Sequence, residues 1–157
     1  DWVIQKAVEI GVTKIIPICT TRCVVKLENP KKMASKVERW NKIAESAAKQ
    51  SGRGVVPEVV LPISMSESIA YARTNALCAI IPYEKEREIG IRKVLQSTEA
   101  KSFGIFIGPE GGFTEEEIEE ALHQGVHSVS LGNRILRSET ASLVTLANIM
   151  YEMGEMG

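Results

Sequence analysis

Phe103-Gly-Ile-Phe-Ile-Gly108-Pro-Glu-Gly-Gly-Phe-Thr114-Glu-Glu-Glu117-Ile118 is the stretch that decides the fold. Its first five residues, Phe103 to Ile107, form a short apolar run of the kind a strand buried on both faces requires. Gly108, Gly111 and Gly112 then permit positive φ and a close approach of backbone to a ligand. Thr114-x-x-Glu117 is a capping-box pattern, which opens a helix to about His123. Strand, glycine loop and capped helix in succession form the unit of a parallel sheet, which collects ligands at the carboxyl ends of its strands.

The same alternation repeats on both sides. Val3-Ile4, Ala7-Val8 and Ile10 recur at helical spacing, and Gly11 is a good helix stop. Thr13 to Ile18 reads as a strand. Asn29-Pro30 sets an N-cap with proline at the first helical position, for a helix from Lys31 to about Gln50 ended by Gly52-Arg53-Gly54. Glu58 to Leu61, between Pro57 and Pro62, is a short strand. Ser64-x-x-Glu67 is another capping box, for a helix to about Arg73, and Ala76 to Ile81 is a second doubly buried strand. A short helix over Ile89 to Gln96, a strand over Val126 to Leu131 and a helix from Ser138 to about Met153 complete the order. This repeated β-α order predicts one α/β domain over residues 1–157, a mostly parallel sheet flanked by helices, with no internal repeat.

Composition narrows the function classes. The chain has 157 residues, 44% hydrophobic and 25% charged, which excludes a disordered or collagen-like chain. No apolar run approaches the roughly 18–20 residues that span a bilayer. Asp1-Trp2-Val3-Ile4-Gln5-Lys6 has neither the basic start nor the apolar stretch of a secretory signal. Cys19, Cys23 and Cys78 make no even disulfide set and no C-x-x-C pair, so reduced thiols in a cytoplasmic protein are expected. His123 and His127 flank Gly125 near a helix end; neither they nor the cysteines have the spacing of a metal site. The net charge of -1 hides an asymmetry: residues 1–57 carry 11 Lys and Arg against 5 Asp and Glu, whereas residues 58–157 carry 8 against 15. A basic half points to a polyanion, although two solvated helix faces of opposite sign would look the same.

Two loops can carry chemistry. The glycine loop is not G-x-G-x-x-G and lacks the Lys-Ser/Thr of a phosphate-binding loop. Glu110 and Glu115-Glu116-Glu117 would repel a triphosphate, so a neutral or cationic ligand held by backbone groups is the better match, with a purely structural turn as the alternative. Leu131-Gly132-Asn133-Arg134-Ile135-Leu136-Arg137-Ser138-Glu139-Thr140-Ala141 also joins a strand to a helix that Ser138 can cap. Leu131, Ile135 and Leu136 are apolar where solvation is expected, which suits burial against an adenine ring or a partner subunit. Arg134, Arg137 and Glu139 bring both signs of charge to one place, as a surface salt-bridge cluster also would.

Together, Gly108-Pro-Glu-Gly-Gly-Phe113 and Leu131-Gly-Asn-Arg-Ile-Leu-Arg-Ser-Glu-Thr-Ala141 resemble the SPOUT class of RNA methyltransferases. More narrowly, they resemble the family that methylates N3 of a uridine in bacterial 16S ribosomal RNA. Lys6-Ala-Val-Glu-Ile-Gly-Val12, Ile16-Pro17, Arg22, Ala47-Ala-Lys-Gln-Ser-Gly-Arg53 and Pro57 extend the likeness over nearly the whole chain. Lys49 stands where the family often has Glu. The family's N-terminal PUA-like β-barrel has no counterpart in these residues, so the chain is expected to be the catalytic part of a longer enzyme.

The resemblance implies S-adenosylmethionine as cofactor, held by a C-terminal trefoil knot. The implied cofactor residues are Ile80, Ile81 and Pro82; Ile107, Gly108, Glu110, Gly111 and Gly112; and Leu131, Gly132, Ile135, Leu136 and Thr140. Arg137 is the implied group that orients uracil and stabilises charge on it, and Glu139 a proton acceptor or a structural partner of Arg134 or Arg137. Arg22, Gln50 and Arg53 are implied on the RNA-facing side, backed by Lys31, Lys32, Lys36, Arg39, Lys42 and Lys49. Implied partners are 16S ribosomal RNA or the small ribosomal subunit, and a second copy of the chain packed through the knot and the apolar helix Leu143 to Met153. Methylation of another base or of a ribose 2′-OH, and a binding module without catalysis, are the alternatives.

Overall fold

In a computed structural model, residues 1–23 and 29–156 are described. Helix α1 (Trp2–Ile10) leads into two very short strands, β1 (Lys14–Ile15) and β2 (Ile18–Cys19). Helix α2 (Pro30–Gln50) starts at Asn29, whose side chain accepts from the backbone N–H groups of Lys31 and Lys32 at 3.0 and 3.3 Å. Strands β3 (Glu58–Val59) and β4 (Ile63–Ser64) then pair in parallel with β1 and β2 respectively. Ile4 and Val8 of α1, Ala44, Ala47 and Ala48 of α2, and Val59 of β3 make one buried cluster.

The single strand expected over Thr13 to Ile18 is thus two strands, and Ile63–Ser64 adds one that the pattern does not reveal. Proline is the reason. Pro17 has no N–H to give a ladder, but its carbonyl accepts from Ile63 N at 3.1 Å, while Ile15 accepts from Val60 N. Pro62 interrupts the facing segment in the same way, so the pairing proceeds in two steps.

From Ser64 onward the chain winds a regular α/β unit. It comprises α3 (Met65–Thr74), β5 (Cys78–Pro82), α4 (Ile91–Ser97), β6 (Phe103–Ile105), α5 (Glu115–His123), β7 (His127–Val129) and α6 (Ser138–Glu152). Both capping boxes form, at Ser64–Glu67 and Thr114–Glu117. At α6 the N-cap is Arg137, with no side-chain cap, and Ser138 is the first helical residue. The backbone leaves its extended conformation one residue earlier than a serine cap requires.

The three strands are parallel in the order β6-β5-β7, with Ile80 opposite Ile105 and Pro82 opposite Val129. Ile80 and Ile81 are both 0% exposed. Alternation sends them to opposite faces. Ile81 packs with Ile69 of α3, Phe106 and Ile118 of α5. Ile80 packs with Val94 and Leu95 of α4, Val129 and Ile149 of α6. A sheet covered by α3 and α5 on one side and by α4 and α6 on the other follows directly from that strand.

The two halves meet where α1 packs on α6. Gly11, the C-cap of α1, has φ 130°, and a Cβ there would strike the terminal methyl of Met150. The Met150 tip can swing away, so backbone strain is the larger penalty. Gly11→Ala is expected to lose roughly 1–3 kcal/mol in urea unfolding, and shortening Met150 in the same chain should not recover it. Among the described residues no helix is long and apolar enough to cross a membrane.

Candidate active site

The carboxyl ends of β5, β6 and β7 open into a cleft of about 610 Å³, within the range of small-molecule sites. Three segments line it: Pro82 at the end of β5 with Tyr83, Glu84, Glu86 and Arg87, then Ile107 to Phe113 after β6, and Ser130 to Glu139 with Ala141 after β7. The glycine loop and the Leu131–Glu139 segment, separate in sequence, therefore face one another across a single space.

Most of the residues singled out from sequence are in this wall: Pro82, Ile107, Gly108, Glu110, Gly111, Gly112, Leu131, Gly132, Ile135, Leu136, Arg137 and Glu139. Ile80 and Ile81 lie beneath it in the core and carry Pro82 to the rim. Thr140 is exposed on the first turn of α6, outside the lining. Gly112 (φ 68°) and Gly132 (φ 109°) occupy conformations that favour glycine. Gly108 is confined differently, since a Cβ there would come within 3.1 Å of the Phe113 ring.

Hydrogen bonds hold both sides of the cleft. Glu117, buried to 8% exposure, accepts from Thr114 N at 2.8 Å through one carboxylate oxygen and from Thr21 N at 2.7 Å through the other. Arg22 Nη1 donates to the carbonyls of Gly111 (2.8 Å) and Phe113 (3.2 Å). Gly112 N closes the loop on Pro109 O at 2.8 Å. On the other side, Glu86 accepts from the N–H groups of Glu88 and Ile89 and from Ser128 Oγ, contacts that pull its carboxyl below the usual carboxylate range. Ser130 N donates to Ile89 O at 2.7 Å, tying the end of β7 to the same segment.

The residues implied on the RNA side do not gather in one place. Arg22 is at the glycine loop. Arg53 Nη1 donates to Val8 O (3.0 Å) and Val12 O (2.6 Å), so it serves carbonyls at the end of α1. Gln50 is the exposed last residue of α2. Along that helix Lys42 pairs with Glu38, Lys49 with Glu45, and Arg39 with Asp1, while Lys31, Lys32 and Lys36 are exposed. Lys26 and Glu28, counted in the basic half, lie outside the described residues.

A family model described as RNA methyltransferase domain matches residues 1–150. The chain belongs to that family. It is 40% identical to ribosomal RNA small subunit methyltransferase E of Bacillus subtilis, over 97% of this chain and 60% of the relative. The enzyme of the same name from Mesomycoplasma hyopneumoniae is 39% identical over 97% of this chain and 64% of its own length. Among solved structures, a ribosomal RNA small subunit methyltransferase E from Neisseria gonorrhoeae, bound to S-adenosyl methionine, superposes with a TM-score of 0.82. Its identity is 34%, over 96% of this chain and 59% of that one. The chain therefore spans about 60% of the length of the first of these relatives.

In this RNA methyltransferase domain the cleft also takes in Tyr83, Glu84, Glu86, Arg87, Asn133 and Arg134. The segment after β5 is missed by motif reading because it has no glycine signature. Its signal is positional: charged residues directly after a doubly buried strand. With these residues the cleft holds Glu84, Glu86, Glu110 and Glu139 alongside Arg87, Arg134 and Arg137, with apolar lining from Ile107, Leu131 and Leu136. Apolar lining with side chains of both signs fits a flat heterocycle that carries cationic and anionic groups.

The two acceptor oxygens of Glu117 both face N–H donors. Glu117→Gln turns one of those contacts into donor against donor. A loss of about 1–3 kcal/mol in urea unfolding is expected, with α5 fraying at Thr114; an unchanged midpoint would contradict it.

Proposed function

We propose that this domain transfers a methyl group from S-adenosylmethionine to N3 of a uridine in 16S ribosomal RNA. The observation that carries the reading is the meeting of the Gly108–Phe113 loop and the Leu131–Glu139 segment across one cleft at the strand ends. Membership of the RNA methyltransferase domain family and the names of the relatives support it. A C-terminal trefoil knot, a homodimer built through the knotted region and α6, the small ribosomal subunit as partner and a cytoplasmic location belong to the same proposal. They are supported by the likeness to the SPOUT class.

The cofactor, when bound, supplies an electrophilic methyl group on a sulfonium sulfur, open to in-line displacement. Ile107, Leu131, Ile135 and Leu136 offer apolar surfaces for the adenine, and Gly108 to Gly112 bring backbone groups to it. Glu84 and Glu110 place negative charge around a cation. Uracil N3 carries a proton, so the chain must accept it and stabilise the anion. Arg137 stands at the N-cap of α6 and in the cleft wall. Its guanidinium, together with the positive end of the helix, puts positive potential where charge develops on the uracil carbonyl oxygens. Glu139, two residues on and in the same wall, is the proton acceptor.

The test is methyl transfer from labelled S-adenosylmethionine to undermethylated small-subunit RNA, followed by nucleoside mass spectrometry. The expected product is 3-methyluridine, and Arg137→Ala should lower the rate by about 100-fold or more. A methyl group on a ribose oxygen or on another base would reject N3 as the target. Cofactor binding without transfer by the full-length protein would make it a binding module, and a parental rate in Arg137→Ala would remove that residue's role.

A further inference from the structure

Residues 20–23 form a turn that directly follows β2, closed by Cys23 N donating to Thr20 O at 3.1 Å. The turn belongs to the N-terminal half, yet Thr21 and Arg22 bond to the glycine loop and to the helix that follows it, some 90 residues later. Thr21 N is bound by Glu117, and Arg22 Nη1 by the carbonyls of Gly111 and Phe113. The Arg22 stem also covers the loop, because its Cβ and Cδ lie 3.6 Å from where a Cβ on Gly111 would stand. The resemblance places Arg22 toward RNA, but the geometry has committed this guanidinium nitrogen to two backbone acceptors of the cofactor side.

We propose that Arg22 is a positioning residue for the cofactor loop: it holds Gly111 to Phe113 in the binding conformation and so sets the affinity for S-adenosylmethionine. The proposal rests on the functional reading above. Its physical basis is backbone entropy. Pro109-Glu110-Gly111-Gly112 contains two adjacent glycines, one at φ 68°, so a free loop would lose much conformational freedom on binding a ligand. A guanidinium bonded to two of its carbonyls removes that freedom beforehand. Arg22 then acts on cofactor KM, leaving kcat near parental, and the N-terminal half becomes part of the cofactor site without touching the cofactor.

Arg22→Met keeps the stem over Gly111 and removes only the donors, so it separates positioning from packing. Calorimetry should show S-adenosylmethionine affinity down about tenfold in Arg22→Met and partly restored in Arg22→Lys. Hydrogen exchange across residues 108–114 should rise in Arg22→Met with no cofactor present, while RNA affinity and its salt dependence stay parental. Parental loop exchange, or parental cofactor affinity, overturns the proposal. So does weaker RNA binding with a salt slope reduced by about one and cofactor affinity untouched, which marks a phosphate contact. If the unaltered protein binds no S-adenosylmethionine, the functional reading fails, whereas loop exchange still decides whether Arg22 holds the loop.

Discussion

Burial of β5 on both faces dictates the layers around it. Ile80 and Ile81 are adjacent, point in opposite directions and are both withdrawn from solvent. One needs α4 and α6 beside it and the other needs α3 and α5, so a helix layer is required on each side of the strand. With β6 and β7 parallel to β5 on either hand, their carboxyl ends lie at one edge, and the three loops that follow can only meet there. The cleft is a consequence of the core beneath it.

A second set of interactions makes that edge specific. Loops rich in glycine are free to wander, and here polar side chains fix them from outside the sheet. Glu117 uses one carboxylate to close its own helix start and to capture Thr21, while Arg22 from the same turn reaches the loop carbonyls. Glu86 does comparable work on the opposite rim, gathering Glu88, Ile89 and Ser128. Both are carboxylates accepting N–H or O–H groups at the margin of the cleft, where such bonds are strong and the backbone would otherwise be loose. The N-terminal half, with its own small core around Val8 and Ala44, thereby becomes a support for the loop.

Local signals in the sequence carried well into the structure because their chemistry is local. Asn29, Ser64 and Thr114 cap the helices they announce, since a side-chain oxygen two or three residues from a free N–H needs no tertiary partner. The doubly buried strand ending at Pro82 was legible from its unbroken apolar run. The Thr13–Ile18 segment was less so, because prolines on both facing segments divide the pairing, and a two-residue strand such as Ile63–Ser64 leaves no periodicity to read. At the site, both motif-bearing loops were visible as motifs, but their meeting was not. Arg53 and Arg22 look alike in sequence as basic residues near the start of the chain. Only the fold shows one serving the end of α1 and the other the glycine loop.

S-adenosylmethionine is proposed to sit between the Gly108–Phe113 loop and the Leu131–Arg137 segment. Titrating the isotope-labelled protein with S-adenosylmethionine and following its backbone amide resonances tests that placement most directly. The largest shifts are expected at Gly108, Glu110, Gly111 and Gly112 and at Leu131 to Arg137, with a nucleoside triphosphate leaving the glycine loop in place because that loop lacks the Lys-Ser/Thr of a phosphate-binding loop and carries Glu110. Shifts centred on α2 or on the amino ends of the strands, or equal shifts with the triphosphate, would contradict it.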